Sequence, residues 1–185
     1  MGAPHISDKG KKMCDNTSLE IERKFLLTSC TPLLNIFKWV RLNFKTNDIK
    51  IESIKQYYLS DSERVRKTVQ IFGDDKTFYE ICIKDITDND IVRKETEESI
   101  SPEAFYNIIK GVDRFVYKER ISWHSGGLLY SVDKFRKPKM SSMLEVEFPN
   151  KNEADVFNPS TFSEFLEREV TSDPHFYNNY LSRLP

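Results

Sequence analysis

Charges of one sign recur two residues apart along segments that otherwise alternate as β-strands do, and few folds tolerate that pattern. In "LEIERKFLL" (19–27) an extended backbone places Glu20, Glu22 and Lys24 on one face, and Leu19, Ile21, Phe25 and Leu27 on the other. The same spacing gives Arg64/Arg66 in "RVRKTVQIF", Glu95/Glu97 in "IVRKETEES", Lys118/Arg120 in "VYKERISW" and Glu145/Glu147 in "MLEVEF". "YEICIK" sets Glu80, Cys82 and Lys84 on one face, and "LLYSVDKF" sets Asp133 with Ser131 and Phe135. Like charges side by side on a sheet repel, so a merely solvated face is a poor account of so many doublets. A closed antiparallel barrel is a better one: basic and acidic strands face each other across a lumen, and the apolar faces turn outward under helices.

Composition restricts what the lumen could bind. With 185 residues and 38% apolar content, the chain is long enough for one domain with its own core. Its 28 basic and 29 acidic residues nearly cancel, so any attraction for an anion must be local. Only six glycines are present and no G-x-x-x-x-G-K-[ST] loop, so bound phosphates would be held by side chains. Cys14, Cys30 and Cys82 are odd in number without C-x-x-C spacing, and His5, His124 and His175 show no zinc spacing. Glutamates and an aspartate instead suit a hard cation such as Mg²⁺ or Mn²⁺, while arginine forks and lysine ammoniums suit phosphate oxygens. Together they point to a chain of phosphates bridged by metal.

Residues 1–17 read as a polar tail, part of it either native or left from expression, and 18–185 as a single domain. No run approaches the ~18 apolar residues of a membrane span and no signal peptide is evident, so a cytoplasmic protein without a membrane partner is expected. Helices are predicted over Leu33–Val40, over "SPEAFYNIIKG" with Ser101 as cap and Gly111 as stop, over "NKNEADVF" with Asn150 and Glu153 at capping-box spacing, and over "DPHFYNNYLSRL".

"EIERKF" resembles the ExExK signature of the CYTH proteins, or triphosphate tunnel metalloenzymes, and the resemblance continues in order through "QYYL", "RVR", "RKETEE", "KER", "VDKF", "LEVEF" and "REVTSDPHFYNNYL". It covers about Leu19 to Leu181 and is closest in pattern to bacterial inorganic triphosphatases. The tail departs from the family pattern at "STFSEFLER", and 31–52 is longer than in compact members, which bears on substrate preference. The resemblance implies an α+β fold, a closed eight-stranded antiparallel β-barrel with helices packed outside, and metal-dependent hydrolysis of inorganic triphosphate or a related triphosphate. It implies that Lys24, Arg64, Arg66, Lys84, Lys118 and Arg120 grip the substrate. Glu20, Glu22, Asp133, Glu145 and Glu147 would hold Mg²⁺ or Mn²⁺, Glu20 and Glu22 serving catalysis as well. Lys84 is a candidate for proton exchange if neighbouring cations lower its pKa, and Glu95 and Glu97 would support the basic side chains or bind a second ion. Glu169 is read as structural or gating, Tyr177 and Asn178 as packing and capping.

Alternatives remain open: a class IV adenylyl cyclase, a thiamine or RNA triphosphatase, or a non-catalytic nucleotide- or polyphosphate-binding module. The expected partner is a triphosphate-containing small molecule, with an RNA 5′ end less favoured, and the chain is expected as a monomer or homodimer. Repulsion among like charges is further expected to strain the empty lumen.

Overall fold

The computed structural model describes residues 17–28, 32–46, 48–71, 76–84 and 91–185. The tail at 1–16, with His5 and Cys14, and also Cys30, lie outside the described residues. Nine strands form: β1 (Thr17–Leu27), β2 (Ile49–Tyr58), β3 (Glu63–Gln70), β4 (Thr77–Lys84), β5 (Val92–Ser99), β6 (Phe115–Ser125), β7 (Leu128–Lys137), β8 (Met143–Glu147) and β9 (Leu166–Glu169). They follow the order β5-β4-β3-β2-β6-β7-β8-β1, all antiparallel, and a β5–β1 pairing closes the ring at eight strands. Closure depends on the length of β1. Residues 17–21 pair with β5, residues 22–26 pair with β8, and β9 takes up the edge beyond β5 through Phe25–Leu27.

The outward faces of β1, β6, β7 and β8 carry Phe25, Leu27, Ile121, Trp123, Tyr130, Val132, Leu144 and Val146, all buried in one apolar cluster. Helix α1 (Leu33–Phe44) covers it with Ile36 and Val40, while Leu33, Phe37, Trp39 and Phe44 pack alongside at helical spacing. Helix α1 runs four residues past the expected Val40 and ends where Lys45 turns left-handed at φ 50°. Full burial of each such side chain contributes about 1.5–3 kcal/mol. Helix α2 (Pro102–Ile108) is capped by Ser101, whose hydroxyl accepts from the Ala104 amide at 3.1 Å, and it buries Phe105 against Tyr57 and Tyr79. In α3 (Lys151–Val156) the Asn150 carbonyl oxygen accepts from the Glu153 amide at 3.0 Å, and the Asn150 side-chain amide donates back to the Glu153 carboxylate at 3.0 Å. The expected long C-terminal helix is two short turns instead, Pro174–Phe176 and α4 (Asn178–Leu181). Tyr177 between them is extended, and its ring lies under the Arg93 guanidinium at 4.3 Å. Among the described residues no helix is long and apolar enough to cross a membrane.

A second apolar cluster lies on the other side of the barrel wall. Leu26, Tyr58, Val116, Phe135 and Met143 continue the lumen-facing rows of their strands and meet Val170 and Leu181 of the C-terminal segment. One end of the lumen is thereby filled with hydrocarbon. The segment is also fastened at the surface, where Asp61 accepts from Arg114 at 2.9 Å and from Arg183 at 2.6 Å. Leu181 is 3% exposed, so Leu181→Ala is expected to cost about 2–5 kcal/mol in denaturant unfolding. Asp61→Ala, which breaks exposed pairs only, is expected to cost less than about 1 kcal/mol per pair.

Candidate active site

Beyond the apolar plug the lumen opens into a cavity of about 410 Å³. Lys24, Arg64, Arg66, Lys84, Lys118 and Arg120 line it, interleaved with Glu20, Glu22, Glu95, Glu97, Glu145 and Glu147. All the strand doublets thus converge on one space, because each sits on the inward parity of its strand. Asp133 does not line it. It is fully buried on the lumenal face beside Arg120, one oxygen accepting from Lys118 at 2.6 Å and both accepting from Arg120 at 2.7 Å. With both oxygens taken up by cations, Asp133 braces Lys118 and Arg120 in this structure.

Each cavity cation has a carboxylate partner. Lys24 pairs with Glu145 at 2.9 Å and with Glu22 at 3.0 Å; Arg64 pairs with Glu95 at 2.8 Å. Arg66 pairs with Glu97 at 2.7 Å and Glu80 at 3.0 Å, Lys84 with Glu20 and Glu95, and Arg120 with Asp133 and Glu145. Carboxylates between the cations offset the expected repulsion within the basic rows, and part of it persists where Lys118 and Arg120 share Asp133. Glu95 and Glu97 pair with the basic side chains in this structure. Cys82 adjoins them, its thiol donating to Glu95, and one ligand atom each from Cys82, Glu95 and Glu97 lies within 4.8 Å of the others.

Burial works against charge on Lys84, but Glu20 and Glu22 outweigh it and hold the ammonium above its ordinary range. That runs opposite to the lowering on which proton exchange at Lys84 depended. The lysine that is pushed down, to about 8, is Lys118, by burial and then by Arg120 beside it. Burial opposes ionisation of Glu145, yet Lys24, Lys118 and Arg120 keep it well below the usual carboxylate range. Glu147 is the exception. It makes no salt bridge or hydrogen bond among the described residues, and burial, then Glu20, raise it to about 7 against the opposing pull of Arg120, with Glu22 and Glu145 adding to the rise. In the β1–β8 register Glu22 lies directly opposite Glu147, whereas the next pair inward is the complementary Lys24–Glu145. Two carboxylates facing each other, of which only Glu22 has a cation at hand in Lys24, repel, and with Glu20 beside them they form an oxygen donor set that fits a hard divalent cation.

Gln56, Ile54, Ser18 and Asn178 also line the cavity, beyond the residues that the sequence singles out, and Asn178 does so beside the packing and capping expected of it. In β2, Ile54 and Tyr58 share the lumenal parity with Glu52 and Gln56, so its hydrophobic residues fall on both faces and its periodicity does not reveal a lumenal row. Past Arg66 and Arg120 the lumen continues into a second chamber of about 350 Å³, whose walls include Glu52, Thr68, Phe78, Ser122 and Ser131. Glu169 lies outside the lumen, bonded to Arg23 at 2.6 and 2.8 Å and to the Thr171 hydroxyl at 2.6 Å, and so ties β9 to β1.

No family model and no curated protein sequence matches the chain. Among solved structures, the chain is similar to the PH1819 protein of Pyrococcus horikoshii OT3, with TM-score 0.57 and 18% identity, over 81% of this chain and 92% of that one. It is similar to the PH1012 protein of the same organism, with TM-score 0.54 and 20% identity, over 80% and 94%. A conserved hypothetical protein of Pyrococcus furiosus matches with TM-score 0.51 and 14% identity, over 78% and 86%. These likenesses show a shared fold, the closed eight-stranded antiparallel barrel.

Two expectations follow for the metal-free tunnel. Folded Glu147 binds its proton more tightly than the unfolded chain does, so its contribution to stability is present at pH 5 and lost as pH rises through about 7. Unfolding in a chelator at pH 5 and 7.5 should show a loss of up to about 3 kcal/mol, flattened in Glu147→Gln; the Lys118 contribution changes only above pH 8 and stays out of this window. Arg120→Ala should destabilise the empty protein, by less than the about 3–5 kcal/mol of a buried charge left wholly unpaired, since Asp133 keeps Lys118 and Glu145 keeps Lys24. A gain in stability would instead restore the picture of a self-repelling basic lumen.

Proposed function

We propose that this protein hydrolyses a triphosphate in the presence of Mg²⁺ or Mn²⁺, with inorganic triphosphate as the reference substrate. The observation that carries this reading is the set of six cations and six carboxylates around one cavity, most of them paired across it as placeholders for a ligand of both signs. A polyphosphate chain would take over the cations, and the released carboxylates Glu20 and Glu22, with Glu147 and Glu145, would hold the ion. When bound, the ion supplies positive charge along the phosphates and acidifies a coordinated water. Lys24, Arg64, Arg66, Lys84, Lys118 and Arg120 fix the chain and stabilise the charge that grows on the leaving pyrophosphate. Phosphoryl transfer needs mainly such positioning and neutralisation. Asp133 keeps Lys118 and Arg120 extended while their other partners change. A cavity built only to retain anions would be better without six carboxylates, which argues against a passive binding module.

A second reading concerns what the triphosphate carries. The hydroxyls of Thr68, Ser122 and Ser131 are all on buried residues and line the second chamber. That space beside the arginines favours an organic triphosphate ester over the bare ion. Phosphate release from inorganic triphosphate, ATP, thiamine triphosphate and 5′-triphosphate RNA, with product chromatography, ranks the two readings and would reveal a cyclised product.

Partner exchange also makes a thermal prediction. Triphosphate with Ca²⁺ should stabilise the fold by roughly 3 to 4 kcal/mol at 100 to 1,000 times its Kd, and neither component alone should do so, because each neutralises one sign only. A melting shift no larger than that from sulfate at matched ionic strength would remove the reading. Glu22→Gln should lower turnover by about 100-fold at limiting metal with the fold retained, and wild-type activity throughout a metal titration would remove Glu22 from the metal set.

A further inference from the structure

Strand β2 stands four strands from β1 in either direction around the ring, so it forms the wall facing the ExExK strand across the lumen. Its lumenal row is Glu52, Ile54, Gln56 and Tyr58, without a cation. The strands on either side each carry two, Arg64 and Arg66 on β3, and Lys118 and Arg120 on β6. In register Gln56 lies opposite Arg66 on one side and Val116 on the other, and Ile54 lies opposite Lys118. Gln56 therefore occupies the middle of the cationic wall. It is 2% exposed, it lines the cavity, and its carbonyl oxygen is buried with no hydrogen bond. Nor does its amide nitrogen have a partner among the described residues. Every cation around it is matched with a carboxylate; this neutral group is matched with nothing.

A buried amide without a partner is costly and calls for an explanation. Apolar side chains of similar size would fill the same space without that cost, as Ile54 does one step along the row. An amide, in Gln56 as in Asn178, has a property that the charged groups lining the cavity lack. Its carbonyl accepts a hydrogen bond without adding a negative charge, so it can sit against a polyphosphate and hold a water, and its NH₂ can donate to a phosphate oxygen at the same time. A carboxylate there would repel the phosphates and compete for the metal.

Resting on the hydrolase reading above, we infer that Gln56 holds the attacking water against the bound phosphate chain. In the reaction the water oxygen bonds to the terminal phosphorus, the anhydride P–O bond breaks, and pyrophosphate leaves with the bonding electron pair. The water proton passes to solvent or to a product oxygen. Gln56 gains and loses no proton; it orients the nucleophile, as a neutral glutamine does in other phosphoryl transfers to water.

The test is steady-state kinetics of Gln56→Leu and Gln56→Glu with inorganic triphosphate and Mg²⁺ or Mn²⁺, alongside melting of the ligand-free variants. Gln56→Leu should lose about 100-fold in kcat with KM within about threefold of wild type, and should melt no lower, because it removes polar atoms that had no partner. Gln56→Glu restores an acceptor at the cost of charge, so its kcat should exceed that of the leucine variant while its KM rises about tenfold. Wild-type kcat in Gln56→Leu overturns the assignment, as does a rise in KM alone, which would make Gln56 a phosphate contact. A lower melting point with kcat and KM both impaired also overturns it, marking a structural strut. If the wild type releases no phosphate from triphosphate with either metal, the hydrolase reading itself falls and the role of Gln56 falls with it.

Discussion

A charge removed from water must find an opposite charge, and the arrangement of this barrel follows from that requirement. The apolar faces of the strands turn outward and are covered by α1, α3 and the segment near Phe162, which leaves the charged faces to share an interior. Enclosing a dozen ionised side chains would be prohibitive if they were unmatched. Here the six cations are each met by a carboxylate, and the fully buried Asp133 serves two of them. Glu147 is where matching stops, and it responds by binding a proton up to about neutral pH.

The same requirement links stability to binding. An interior held by ion pairs is compact without ligand, and on the proposed reading each pair would be replaced by a stronger one when metal and phosphate arrive together. The cost of parting Lys24 from Glu145, or Arg64 from Glu95, is offset only if both partners are taken up. This favours a ligand that brings both signs of charge and disfavours simple anions and simple cations. The neutral groups in the cavity, Gln56 above all, stand outside that exchange.

Much of this was legible in the sequence because a strand has a period of two, so charged doublets such as Glu20/Glu22 and Lys118/Arg120 reveal their face without any knowledge of the partner strand. Pairing was not legible: nothing in "KER" or "VDKF" says that Arg120 and Asp133 stand opposite in the β6–β7 register, and depth decides that Asp133 is a support and not a lining residue. Strand β2 hid its role because it crosses from the chamber to the plug, so Glu52 and Tyr58 lie on one face. Short pieces also escaped. Four residues of β9 carry too little periodicity to be read, and the C-terminal segment has helix-forming composition, but Tyr177 is drawn into an extended conformation beside Arg93.

The hydrocarbon plug of Leu26, Tyr58, Val116, Phe135, Met143, Val170 and Leu181 gives the lumen a direction. A passage filled at one end is a pocket and not a through-channel: what enters must turn back to leave, and an elongated occupant would keep one end toward the plug.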